Sequence, residues 1–339
     1  MQSGWGTANT KFFFELTPDQ VISAVESLGL LCTGACFALN SYENRVYEVE
    51  LEPTAENEDL HPIHRKRVVK FYRPGRWTQE QILEEHEFLQ DLADHEVPVV
   101  NTVRVANGST IHTEPKTGLF YTLFPKVGGR IPQEPTEDQL MQIGRLIARL
   151  HNVGETKKAN HRIELNVNTY GLSNLEFLMK NQWINREFES RYEKAVRSIC
   201  ELIDPVLERL PKIRLHGDCH LGNLLENNEQ IFFLDFDDML SGPPVQDLWL
   251  LMSESGRSAR TQWEILLEGY EQMRTFDRSS LKVVEGLRAL RMVHFTAWLA
   301  RRWDDPAFPK NFGFFKEAGY WQNQTSDLED QLLLLQEEM

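Results

Sequence analysis

Cysteine is scarce in this chain, positive charge is in deficit and long hydrophobic runs are missing. The four cysteines (Cys32, Cys36, Cys200 and Cys219) are scattered over 339 residues. They imply no disulfide framework and suit a reducing compartment. Lys and Arg number 36 against 51 Asp and Glu, a net charge of −15, which argues against a nucleic-acid or anionic-membrane partner. A polyanionic ligand would need local positive charge or a metal to be held. The opening residues show no basic stretch followed by an apolar one, so no signal peptide is expected. The longest near-apolar run, Leu28–Leu39, is too short and too broken by glycine for a membrane span. No internal repeat or long low-complexity segment occurs. Hydrophobic content of 41% and charged content of 26% are those of a globular protein, and the length allows about two domains, each with its own core.

Thr17, Pro18 and Gln20 supply an N-cap, a proline at the first helical position and a capping box, and predict a helix to Leu28 with Gly29 as its stop. Residues 1–15 before it predict a loose start. In "CFALNSYENRVYEVELE" two strands are joined by a polar turn, and Tyr47, Val49 and Leu51 alternate onto one face. After a polar loop, "RVVKFYR" makes a third strand that contains Lys70. Thr78 and Gln81 box the next helix, and "VPVV" and "GLFYTLF" add two strands. "PKVGGR" interrupts both periodicities and is the expected joint between domains. Beyond it the pattern is mostly helical. Thr136 caps a helix with Leu140, Ile143, Ile147 and Leu150 on one stripe, Ser173 and Glu176 box another, and a long one follows Phe188, with a bend expected at Pro205. "KIRL" and "IFFL" are short strands. Helices are predicted through "VQDLWLLM", "RTQWEILLEGYEQM", "SLKVVEGLRALRMVHFTAWLARRW" and "DLEDQLLLLQEE".

The chemistry concentrates in "LHGDCHLGNLLENNEQIFFLDFDD", residues 215–238. Carboxylates so close repel unless something positive sits between them. The run "LLENNEQIFFL" is a hairpin turning at Asn227 and Asn228, and folding it brings Asn223 near Asp235 at one open end. An amide oxygen and a carboxylate, kept few, suit Mg²⁺, which retains waters and borrows ligands from substrate phosphates. Asp218, five residues before Asn223, would then accept or orient a hydroxyl proton beside the metal, the logic of phosphoryl transfer. Other interpretations stay open. Any single Asp here can be a solvated loop acid, and His216, Cys219 and His220 can be taken as zinc ligands, although a second paired cluster is lacking. Cys219 can also be a small packed residue.

A second signal lies upstream. On the helix after Thr78, Ile82, Leu89 and Leu92 form the apolar stripe and Glu85 falls on it. A carboxylate buried there needs a cation, and Lys70 on the preceding strand is the candidate. The alternative is a Glu85 at the stripe's edge reaching water. Glycine-rich phosphate loops are absent; "NSYENR" occupies the corresponding turn, where Ser41 and nearby N–H groups can contact phosphate or simply form a hairpin turn. The backbone of Phe124–Gly128, with Lys126 and Val127 as donors because Pro125 has no N–H, is a candidate adenine site. Asp247 either favours a helix dipole or holds the Asp218 loop through backbone N–H groups. Arg288, Arg291, Arg301 and Arg302 form either a solvated basic face or a substrate-side patch.

Together "HGDCHLGN", "FLDFDD" and "QDLW" resemble the catalytic segment of the aminoglycoside phosphotransferase/choline kinase-like family, relatives of protein kinases. Adding "NSYENRVY", "VVKFYRP", "ILEEHEF", "GGR" and "RRWDDPAFPKNF", the chain resembles that family's bacterial stress-response kinases over residues 17–322. The resemblance implies an α+β, bilobal protein-kinase-like fold: an extension at 1–16, a small β-rich nucleotide-binding lobe at 17–125 and a larger helical catalytic lobe at 126–339, with ATP between them. It implies ATP as co-substrate, Mg²⁺, protein Ser/Thr acceptors, a cytoplasmic monomer and a role in stress survival. By motif, Asp218 is the catalytic base, Asn223 and Asp235 bind Mg²⁺, and Asp235 also counts as an active-site acid. Ser41 lies by the phosphates, Lys70 grips them and Glu85 braces Lys70. Two departures from ordinary protein kinases stand out: Gly217 replaces a common Arg, and Asp237 replaces the glycine of DFG. Only eleven residues separate Asp235 from Asp247, too few for a long activation loop, so no activation by loop phosphorylation is expected. The same shortness leaves a kinase of a small hydroxylated metabolite or antibiotic as the alternative, and a non-catalytic nucleotide-binding regulator as a further one.

Overall fold

The computed structural model describes residues 11–55, 58–105, 108–252 and 257–338. In chain order the elements are α1 (Lys11–Phe14), α2 (Pro18–Glu26), β1 (Cys32–Leu39), β2 (Arg45–Leu51), β3 (Lys66–Phe71), α3 (Gln79–Asp94), β4 (His112–Thr113), β5 (Phe120–Pro125) and α4 (Glu137–Glu155). They continue with α5 (Ser173–Lys180), α6 (Glu189–Leu207), β6 (Ile213–Leu215), β7 (Leu224–Asn227), β8 (Gln230–Phe233) and β9 (Leu240–Gly242). The last are α7 (Val245–Trp249), α8 (Arg257–Glu271), α9 (Val284–Arg301), α10 (Ala307–Asn311) and α11 (Ala318–Glu338). They divide into two packing units, Met1–Glu134 with Leu221–Asp237, and Pro135–His220 with Asp238–Met339. No helix among the described residues is long and apolar enough to cross a membrane.

The first unit is built on a five-stranded antiparallel sheet in the order β1-β2-β3-β5-β4. Its core follows the period-2 pattern. Tyr47, Val49 and Leu51 of β2, Val69 and Phe71 of β3, and Tyr121 and Leu123 of β5 share one buried face with Val21, Ala24 and Val25 of α2. α2 begins at the predicted Thr17–Gln20 capping box. Of the expected loose start, residues 1–10 lie outside the described residues, and Lys11–Phe14 form a short helix instead. Phe13 of α1 is fully buried in the same core and Phe14 packs against it, because the apolar area of these two rings outweighs the ordering cost of a short arm.

"VPVV" is not a strand. Pro98 interrupts any ladder there, and the segment instead receives the β7–β8 hairpin. Phe233 N–H donates to Pro98 O at 2.9 Å and Val100 N–H to Phe233 O at 3.3 Å. The hairpin is in register, Leu224 opposite Phe233 and Asn227 opposite Gln230. Its turn is one residue later than expected, with Asn228 at φ 47° and Glu229 at φ 65°. Both are left-handed, as a tight two-residue hairpin requires.

The second unit is mostly helical, with β6 and β9 as a short antiparallel pair; three residues are too few for β9 to show alternation. α4 starts at the Thr136–Gln139 capping box and buries its predicted stripe. The Ser173–Glu176 box does not form. Asn166 accepts from the N–H groups of Asn168 and Thr169 one turn upstream, so the chain is already helical before Ser173. α6 runs through Pro205 to Leu207. α11 packs against α6 and α9.

α4 and α8 meet backbone to backbone. A Cβ on Gly144 would lie 2.1 Å from Leu266 O, and one on Gly269 would lie 2.1 Å from Met141 O. Glycine inside a helix costs about 1 kcal/mol relative to alanine, and the close crossing offsets that cost. Gly269→Ala should therefore destabilise the protein by about 1–3 kcal/mol, measured by urea unfolding. A gain in stability, as helix propensity alone would give, contradicts the close crossing.

Candidate active site

In the first unit Lys70 points from β3 into a nest of acids. Its Nζ lies 2.9 Å from Asp237, 3.2 Å from Asp235 and 3.5 Å from Glu85. The Lys70 side chain is 6% exposed, Glu85 0%, Asp237 4% and Asp235 57%. Burial works against the charge on Lys70, but Asp237, Glu85 and Asp235 outweigh it and raise its pKa well above that of a free lysine. Glu85 thus meets its cation, as the helical stripe required; it does not reach water. The Phe88 ring, one turn further along α3, packs edge-on against Phe236 at 5.8 Å. That contact seats the residue between Asp235 and Asp237.

Asn223 and Asp235 flank the open end of the hairpin, where Leu234 N–H donates to Asn223 O at 2.9 Å. Asp235 has φ +53°, a conformation that costs a non-glycine residue about 1–2 kcal/mol. The result is a carboxylate that touches Lys70 yet stays largely exposed. Among the described residues no group of three or more His, Cys, Asp or Glu could hold a metal. A site of one amide and one exposed carboxylate therefore fits a hard divalent ion that takes its other ligands from water and phosphate, and does not fit a closed protein cage. The zinc alternative finds no support: Cys219 is fully buried and burial raises its thiol pKa, while His216 accepts the Asp218 N–H at Nδ1.

Ser41 is half-buried on the β1–β2 loop. Phe124 lies in β5 opposite Val68. The Lys126 N–H is already used, donating to Lys66 O at 3.2 Å, and its ammonium pairs with Glu48 at 3.0 Å. The Val127 N–H has no hydrogen-bond partner among the described residues. Of the two expected donors, only Val127 is therefore available to a ligand.

In the second unit Asp218 is 22% exposed, with Arg291 Nη1 at 2.7 Å from one oxygen and His220 Nε2 at 3.4 Å from the other. Burial opposes its ionisation, but the His220 hydrogen bond and the Arg291 charge prevail and hold its carboxyl well below the usual range. The loop that carries it is fixed from α7. Asp247, fully buried, accepts from His216 N–H at 2.8 Å and Gly217 N–H at 2.9 Å, and from His151 Nε2 at 3.3 Å. Of the two roles open to Asp247, the structure shows it holding the loop. Burial lowers the pKa of His151 despite that bond, and Tyr270 OH occupies its other nitrogen at 2.9 Å. Gly217 has φ +85°, and a Cβ there would lie 2.1 Å from Asp238 O, so the side chain common at this position in protein kinases has no room.

The arginines of α9 are not a solvated face. Arg291 binds Asp218, Arg288 lies over the Trp249 ring at 5.0 Å, and Arg301 lies over Phe177 at 3.8 Å with its pKa lowered to about 9 by burial and by Arg302. Sequence reasoning missed three groups: Arg291 and His220 as partners of Asp218, and Arg76, whose guanidinium pairs with Asp237. The signal for Arg76 was the unexplained second arginine of "YRPGRW", between the Lys70 strand and the Thr78 cap.

The phosphotransferase enzyme family pattern matches residues 37–284. Stress response kinase A of Escherichia coli (strain K12) is 39% identical over 334 residues, covering 97% of each chain. Serine/threonine protein kinase RdoA of Salmonella typhimurium (strain LT2) is 36% identical over 330 residues, 97% of this chain and 96% of its own. In fold, the chain is similar to an amicoumacin kinase solved with AMP-PNP, Ca²⁺ and its antibiotic, with TM-score 0.69 and 17% identity over 91% of this chain and 96% of that one. A helical unit and a five-stranded sheet carrying a lysine–glutamate pair, matched by that pattern over most of the sequence and by those relatives almost end to end, place this chain in the phosphotransferase enzyme family, among the stress response kinase A proteins.

Proposed function

We propose that this chain is a kinase that moves the γ-phosphoryl group of ATP to Ser/Thr hydroxyls of proteins, with Mg²⁺ held by Asn223 and Asp235. The observation that carries the proposal is Lys70, a buried ammonium braced by Glu85 while also touching the exposed Asp235. Lys70 would grip the phosphates, and Val127 N–H would face adenine, since Lys126 N–H is engaged. Ser41 and the β1–β2 loop would lie over the phosphates. A bound divalent ion would neutralise charge on the β- and γ-phosphate oxygens.

Asp218 would orient the acceptor hydroxyl. A carboxyl held well below the usual range is a weak base, which suits a loose transition state in which the proton leaves late. The hydroxyl oxygen bonds to the γ-phosphorus, the bond to the β,γ-bridging oxygen breaks, and the proton passes to Asp218 as the attacking oxygen becomes acidic. The protein acceptor follows from the names of the E. coli and Salmonella relatives, and the stress role from the former. The small-molecule alternative is favoured by the short run between Asp235 and Asp247, which leaves no long peptide platform. Four free cysteines fit the cytoplasmic location we propose.

Incubation with γ-labelled ATP and Mg²⁺ should place label on protein, either this chain or added casein. Label only on an added aminoglycoside or choline would move the acceptor class to small molecules. Asp218→Asn should lower transfer at least about 100-fold while ATP still binds; transfer at the wild-type rate would remove Asp218 from the mechanism. Replacing Asn223 and Asp235 together by alanine should abolish Mg²⁺-dependent enhancement of ATP binding in titration calorimetry.

The environment of Asp218 also sets a pH dependence. Its lowered pKa keeps it ionised as pH falls from 7 to 5, so it contributes no acid limb to kcat/KM in that range. In a His220→Gln/Arg291→Ala variant, burial, the largest influence, is opposed only by the smaller pull of His216, and burial raises a carboxyl toward and above its free value of about 3.9. An acid limb should then appear, moving toward neutrality. An unchanged profile would show that those two groups do not set the charge of Asp218.

A further inference from the structure

The β1–β2 loop contains no glycine, yet it stands where a phosphate-covering loop would be. Two arginines of the segment after β3 tie it down. Arg73 donates from Nε to Glu43 O at 2.9 Å and from Nη2 to Tyr42 O at 3.0 Å, and its backbone N–H donates to Asn44 Oδ1 at 3.2 Å. Its Nε also lies 3.0 Å from the Glu43 carboxylate. Arg76 reaches the same carboxylate at 3.7 Å with Nη1, and that Nη1 pairs with Asp237. Asp237 in turn holds Lys70 at 2.9 Å. A continuous chain of charges, Glu43–Arg76–Asp237–Lys70, therefore runs from the loop to the lysine.

The formal charges explain why this chain persists in a buried place. Lys70, Arg73 and Arg76 are three cations, and Glu43, Glu85, Asp235 and Asp237 are four carboxylates. Setting Asp235 aside leaves three against three, and every member of the balanced set is at most 14% exposed in its side chain. Asp235 is the surplus charge and the exposed one. It can turn from Lys70 to a metal and leave the other charges of the set balanced, and once it has turned, loss of Asp237 or Glu85 would leave the set one negative charge short.

We propose that Glu43, Arg73, Arg76 and Asp237 are positioning residues that fix the β1–β2 loop and Lys70 in one geometry before nucleotide arrives, and so set the affinity for ATP. Arginine-held backbone replaces the glycine-rich loop: the loop loses its freedom on folding, so less is lost on binding. Asp237, standing where DFG has glycine, is the link that joins the loop to Lys70. The proposal rests on the reading of Lys70 as the triphosphate ligand.

The test is a double-mutant cycle on ATP affinity, measured by titration calorimetry with ATP and Mg²⁺ and no acceptor in the Asp218→Asn background, where transfer is slowed. Glu43→Gln and Asp237→Asn should each weaken ATP binding about tenfold, and the double variant should be no weaker than the worse single one. Glu43 and Asp237 are joined through Arg76, so non-additivity reports the relay and not mere loss of packing. In the otherwise wild-type chain Glu43→Gln should raise KM for ATP and leave kcat within about threefold, and Glu43→Asp should restore part of the affinity. If Asp237→Asn does not fold, Arg76→Lys, which keeps the charge and loses the fork, takes its place in the cycle. Multiplicative losses, or ATP affinity unchanged by Glu43→Gln, overturn the relay. Lys70→Ala separates the two readings: unchanged ATP affinity there sinks Lys70 as the phosphate ligand, whereas a loss there with none in Glu43→Gln sinks the relay alone.

Discussion

A lysine ammonium buried on the middle strand of a sheet is the constraint around which the first unit is arranged. Left unpaired in that environment it would cost several kcal/mol or give up its proton. Three carboxylates from two different parts of the chain keep it charged: Glu85 from α3, and Asp235 and Asp237 from beyond the β7–β8 hairpin. That demand explains why α3 turns an acid toward its apolar side. It also explains why a hairpin distant in sequence is docked on Pro98–Val100 by backbone bonds and on Phe88 by the Phe236 ring.

The second unit solves a different problem with the same means. Asp218 is held ionised in a half-closed place, on a loop that is tied down. Arg291 supplies charge and His220 a hydrogen bond. Asp247 accepts two backbone N–H groups and a histidine. Gly217 is obligatory at the bend because Asp238 O occupies the space of a side chain. In both units one acid is exposed or reachable while its neighbours are sealed.

Much of this was legible beforehand. The Lys70–Glu85 pair followed from helical period and strand placement, and the hairpin whose ends carry Asn223 and Asp235 followed from turn residues between two apolar runs. Capping boxes at Thr17, Thr78 and Thr136 start helices where expected, because they are local hydrogen-bond chemistry written in four residues. The Ser173 box failed because Asn166 and Thr169 offered the same chemistry one turn earlier. Phe13 was missed because a short aromatic arm has no period, and β9 because three residues show none.

By itself the sequence determined what depends on near neighbours: helix starts, the alternating faces of β2, β3 and β5, the hairpin, and the order Asp218, Asn223, Asp235. Apart from Lys70 and Glu85, which charges meet was decided only by the tertiary structure. Arg76 with Asp237, Arg291 with Asp218 and His151 with Asp247 join residues far apart along the chain. Coulomb attraction depends on distance in space and on shared burial, and neither is recorded in sequence spacing.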